Sequence, residues 1–80
     1  MNDIEKYLNK IVDYMVRHSK DGELPFDNST ISFNDYCRHS FGLTDDEKDY
    51  VWYRYISLMG WVPDDDGASQ YYLKKVLKDY

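Results

Sequence analysis

The chain has 80 residues, enough for one small domain with a thin core and too few for a deep substrate cavity with supporting layers around it. Fifteen acidic against ten basic residues leave a net charge of -5, which argues against bulk attraction to nucleic acid or to anionic lipid. A hydrophobic content of 42%, nine tyrosines, and only four Gly and two Pro exclude a disordered chain. Cys37 is the only cysteine, so an internal disulfide is impossible. Residues 1–14 lack the basic-then-apolar run of a secretory signal, which leads us to expect a cytoplasmic protein. No apolar run approaches the roughly 20 residues that span a bilayer.

In residues 2–20 the apolar side chains Ile4, Leu8, Ile11 and Met15 recur at helical spacing, with Tyr7, Val12 and Tyr14 flanking them. Glu5, Lys6, Lys10, Asp13 and Arg17 take the other side, so an amphipathic helix is predicted, opened by Asn2 with Glu5 and stopped at Gly22. Residues 23–31, with Pro25 and the run Asp27-Asn28-Ser29, read as a connection, with a short extended piece at 30–32. Ser32 with Asp35 then repeats the reciprocal cap pattern, and Phe33, Cys37 and Phe41 line one side of a short helix ending at Gly42. Thr44-Asp45-Asp46-Glu47 is the clearest start signal in the chain. The threonine hydroxyl caps the third amide, Glu47 reaches back, and the acids suit the positive end of the helix dipole. This third helix is expected to run to Met59 and stop at Gly60. Beyond it, Trp61-Val62-Pro63, the acidic turn Asp64-Asp65-Asp66-Gly67 and the tyrosine-rich Ala68–Leu73 predict a β-hairpin, with Val76 and Leu77 closing the core. No repeat, linker or low-complexity tract divides residues 1–80, which are expected to form a single domain.

That order of elements, with Leu58-Met59-Gly60-Trp61-Val62, Asp66-Gly67 and Tyr71-Tyr72-Leu73, resembles the third-helix end and wing of a winged helix-turn-helix domain. The resemblance spans about residues 3–75 and implies an α+β fold of winged-helix type, three helices with a C-terminal β-hairpin. It also implies that the third helix and the wing, residues 45–59 and 62–73, would meet DNA. The sequence departs from that pattern there. Asp45, Asp46, Glu47 and Asp49 stand against one Lys48 on the leading turn, and Asp64, Asp65 and Asp66 stand at the wing tip. Seven acids facing phosphates would repel a duplex whose affinity comes from neutralising them.

On a wheel of about 100° per residue, Val51, Trp52, Tyr55, Leu58 and Met59 fall on one arc, with Ile56 at its edge, and are expected to be core. Asp46, Asp49, Tyr50, Tyr53 and Ser57 fall opposite. Tyrosine set among carboxylates suits the centre of a protein interface. The expectation is therefore a non-catalytic module that binds a basic partner protein through Asp46, Asp49, Tyr50, Tyr53 and Ser57, flanked by Asp64, Asp65 and Asp66. One form of that expectation is a phage-type inhibitor that imitates nucleic acid and occupies the cationic groove of a nucleic-acid-handling enzyme. The alternative is a DNA-binding regulator that uses a basic patch of Arg54, Lys74, Lys75 and Lys78 on another face.

Catalytic and metal chemistry find little footing. Cys37 and His39 stand about 200° apart around a helix, too far to act as a pair. Two His and one Cys give no zinc set at useful spacing. Taking Gly67 as the sixth residue of a calcium loop puts Val62 first and Leu73 twelfth, so both anchoring ligands are missing. No phosphate-cradling glycine loop or nucleophile elbow occurs, and neither an enzyme nor a cofactor is expected.

Overall fold

A computed structural model of the chain describes residues 3–20, 26, 30–61 and 66–78, with the side chains of Thr30, Ile31 and Asp66 excepted. Its four α-helices are α1 (Asp3–Lys20), α2 (Thr30–Phe41), α3 (Asp45–Met59) and α4 (Asp66–Lys78). No strand occurs among the described residues, so the fold is all-α, and the expected α+β winged helix with its C-terminal hairpin is overturned. The reason is the spacing of what the last segment buries. Ser69, Leu73 and Val76 are the covered positions of α4, separated by four and then three residues, which is a helical period and not an alternating one. Gly67, expected in a tight turn, lies instead in the first turn of α4.

The local start and stop chemistry of the third helix is realised as expected. The Glu47 amide donates to Thr44 Oγ1 at 3.3 Å, and the Thr44 amide donates to Glu47 Oε1 at 2.9 Å. Gly60, at φ 74° and ψ 20°, ends α3 in the left-handed region, and the Trp61 amide closes onto the Ile56 carbonyl at 3.0 Å. Gly42, at φ 64°, does the same for α2, with the Leu43 amide on the Cys37 carbonyl at 3.3 Å. The extended piece expected at 30–32 is helical, and Ser32 sits inside α2 instead of ahead of it. A short polar side chain is tolerated there because first-turn amides still need acceptors. The expected caps at Asn2 and Gly22 lie outside the described residues.

α1 buries the stripe its sequence shows, through Leu8, Ile11, Val12 and Met15. α3 packs between α1 and α4. Its Trp52 ring also meets Phe33 of α2 at 4.7 Å, and its Tyr55 ring meets Phe26 at 5.9 Å. A helix enclosed on several sides buries more than one arc. Glu47, Tyr50, Val51, Tyr55 and Ile56 are buried, whereas Leu58, expected in the core, is 49% exposed. The interior phenols are satisfied. Tyr50 Oη donates to Asn9 Oδ1 at 2.8 Å, and Tyr55 Oη shares a 2.6 Å hydrogen bond with Ser19 Oγ. No buried side-chain nitrogen or oxygen among the described residues lacks a partner.

Candidate functional site

Of the residues expected to form an exposed acidic face, the described ones are partly or wholly covered. Tyr50 is only 4% exposed and belongs to the core, because the wheel placed its ring opposite an arc that is itself only one of several covered sides. Tyr53 is half-buried and stacks on Tyr72 of α4, with centroids 5.4 Å apart and ring planes 20° apart. Ser57 is half-buried. Asp66 opens α4, and Asp64 and Asp65 lie outside the described residues.

Asp45 and Asp46, in the first turn of α3, are engaged within the molecule. Asp45 accepts from Arg38 of α2 at 3.3 Å and pairs with Lys48 at 3.5 Å. The bond from Arg38, and then the nearby Lys48 charge, hold its carboxyl below the usual range. Asp46 pairs with Lys75 of α4 at 3.3 Å, which raises the lysine's pKa. Asp49 is half-buried, and desolvation raises its carboxyl above the usual range, with the carboxylates of Asp46 and Asp45 adding to the rise. A surface so paired offers a basic partner less uncompensated charge than the sequence alone suggests.

Two other surfaces stand out. On α4, Gln70, Tyr71, Lys74, Lys75 and Lys78 are all exposed, and the Lys75 ammonium lies 5.8 Å from the Tyr71 ring centroid. Of the basic patch expected from the sequence, three members thus share one helix, while Arg54 sits half-buried on α3.

The second is a groove of about 580 Å³ between α1 and α2, lined by Tyr7, Lys10, Ile11, Tyr14, Tyr36, Ser40 and Phe41. Ile11 forms its floor, and Tyr36 meets Phe41 edge to face at 5.3 Å on the α2 wall. The Tyr36 phenol is pushed up to about 12, first by desolvation and then by the neighbouring Tyr14. On the α1 wall Tyr7 and Tyr14 are 42% and 41% exposed, and Tyr7 Oη makes only a long 3.4 Å bond to the Phe41 carbonyl. The sequence did carry a signal for this site. Tyr7 and Tyr14 are seven residues apart, two turns along one edge of the α1 stripe, where a heptad pair marks a contact face.

Among the described residues, chemistry of other kinds is not assembled. Cys37 is fully buried, and desolvation pushes its thiol up to about 12, so it is a core residue and not a nucleophile. Among the described residues no group of three or more His, Cys, Asp or Glu is placed to hold a metal ion. No helix among them is long and apolar enough to cross a membrane. Comparisons with protein families, with curated proteins and with solved structures gave no match to this chain.

Proposed function

We propose that the protein is a non-catalytic protein-interaction module whose docking surface is the groove between α1 and α2, in place of the acidic face of α3. The observation that carries this reading is the partial exposure of Tyr7 and Tyr14 beside the apolar floor at Ile11 and the α2 wall at Phe41. Within the chain these rings make few contacts, Tyr7 its long bond to the Phe41 carbonyl and Tyr14 a tilted contact with His18 at 4.1 Å. At an interface they supply a large contact area at low entropic cost. The occupant fitted by this surface is a helical protein segment with aromatic or apolar residues at heptad spacing and carboxylates to meet Lys6 and Arg17, both exposed on α1. The acids of α3 argue for a different contact with a basic protein, and their pairing with Arg38, Lys48 and Lys75 weakens that alternative. Lys74 and Lys78, exposed beside the Asp46-paired Lys75, favour direct contact with nucleic acid as a second reading.

One experiment separates the three. A photo-crosslinking amino acid is placed singly at Ser40 in the groove, at Asp46 on α3 and at Gln70 on α4, and the chain is irradiated in its native cells. The groove position is expected to give protein adducts that Tyr7→Ala with Tyr14→Ala abolishes. Protein adducts from Asp46 alone would restore the acidic-face reading, and nucleic-acid adducts from Gln70 alone would establish the second.

A further inference from the structure

We infer that the protein segment fitted to this groove is α1 of a second copy of the same chain, laid antiparallel across a two-fold axis near Lys10. The inference rests on the groove being a docking surface, and it adds the identity of the occupant. Asp3, Tyr7, Lys10, Tyr14 and Arg17 are all exposed and follow one another at steps of four, three, four and three residues. That is the seam of a helix pair, running about 21 Å along α1 at 1.5 Å per residue.

The charges along the seam are antisymmetric. Asp3 stands at its N-terminal end and Arg17 at its C-terminal end, and beside it Lys6 and Asp13 are arranged in the opposite order. Two copies in parallel register would set Asp3 against Asp3 and Arg17 against Arg17. Turned antiparallel, Asp3 faces Arg17 of the second copy, Lys6 faces its Asp13, and Tyr7 faces its Tyr14. Every match occurs twice across the axis, as an isologous contact requires. Asp3, Lys6, Asp13 and Arg17 form no ion pair within the described part of the chain, so these pairings replace none. The two Lys10 stems meet near the axis, where each can lie along a tyrosine ring of the other copy with its ammonium in water. The α2 wall, with Tyr36 and Phe41, then covers the flank of the incoming helix. A single helix pair with such flanks belongs to the small end of specific interfaces, near or below about 1,200 Å² in total. The dimer is therefore reversible, forming between micromolar and millimolar concentration.

The test is sedimentation of the full chain over that range, with charge-reversed variants. Wild type is expected to pass from monomer to dimer as concentration rises. Arg17→Asp and Asp3→Arg are each expected to weaken association about tenfold, since each reversal is met twice. An equimolar mixture of the two variants is expected to associate again. Between unlike chains the introduced arginine meets the introduced aspartate, and the native Asp3 of one chain meets the native Arg17 of the other. Circular dichroism of each variant keeps loss of folding apart from loss of association. A wild type that stays monomeric throughout overturns the inference, and so does a dimer indifferent to both reversals or a mixture that fails to recover. If the wild type is monomeric and groove crosslinks to another protein persist, only the identity of the occupant fails. If those crosslinks are also absent, the docking reading beneath it fails too.

Discussion

Helices α1 and α3 both carry tyrosines on patterns of similar appearance, yet α1 leaves Tyr7 and Tyr14 about two-fifths exposed while α3 buries Tyr50 and Tyr55. The difference lies in their surroundings. α1 is covered along one stripe, whereas α3 is covered by α1, α4, Phe26 and the first half of α2. Burial of a phenol also needs a hydrogen-bond partner, and α1 supplies one for each inward ring, Asn9 for Tyr50 and Ser19 for Tyr55. A tyrosine at helical spacing is thus interior where a neighbouring helix offers both an apolar wall and a polar atom at the right depth. The ring is left for a partner where the neighbouring helix stands off.

The largest expected effect breaks this comparison if it is mistaken. Tyr55→Ala and Tyr50→Ala should each destabilise the fold by about 3 to 5 kcal/mol, the range for deleting a buried aromatic ring. That is enough to unfold a domain of this size at room temperature or near it. Tyr7→Ala and Tyr14→Ala should each stay within about 0.5 kcal/mol of wild type, as surface substitutions do. Chemical denaturation of the four variants decides the matter. Equal losses on both helices would mean that the groove is a closed part of the core.

The parts legible in the sequence are those governed by local chemistry. The Thr44–Glu47 capping box, the stops at Gly42 and Gly60 and the single buried stripe of α1 each depend on residues within two turns of one another, so a linear reading finds them. The surroundings of α3 are set by four separate parts of the chain, and no wheel drawn on residues 45–59 contains that information. The last segment failed for a different reason. An acidic run ending in glycine suits a hairpin tip and equally precedes a helix, where acids favour the positive end of the dipole. The spacing of Ser69, Leu73 and Val76 is the discriminating signal, and the strand preference of Tyr71 and Tyr72 points the other way.

A pH series sharpens the comparison from the side of the buried groups. Burial pushes the Cys37 thiol from its ordinary 9.0 up to about 12, and burial followed by Tyr14 takes the Tyr36 phenol from 10.0 to about 12. Burial also raises the Tyr50 phenol, against Arg54 and the Asn9 hydrogen bond, which lower it. For each group the folded chain holds a proton that the unfolded chain has released. Its contribution is therefore fully present below the ordinary value and is lost as pH climbs toward the folded one. Stability from urea melts should accordingly decline above pH 9.0 and continue to fall toward 12. Cys37→Ala should flatten the first part of that decline, between 9.0 and the onset of phenol ionisation near 10.0. A stability that stays level across this interval would place the thiol in contact with water.

The smallest effect concerns the helix that closes the third side of α3, and its sign matters more than its size. Gly67 stands in the first turn of α4, and a methyl group built on it meets no atom within 4 Å. Alanine there removes the entropic cost of fixing a glycine in helical geometry, so Gly67→Ala should stabilise the fold by up to about 1 kcal/mol. Gly60, at φ 74°, also has open space around it, but its left-handed backbone strains any other side chain, and Gly60→Ala should cost about 1 kcal/mol. The two glycines therefore move the denaturation midpoint in opposite directions although neither substitution meets a neighbour. If Gly67→Ala were as harmful as Gly60→Ala, residue 67 would sit in a turn and not in a helix. The stack of Tyr53 on Tyr72 and the pair of Asp46 with Lys75 would lose the backbone that holds them, and the acidic face of α3 would again be open to a partner.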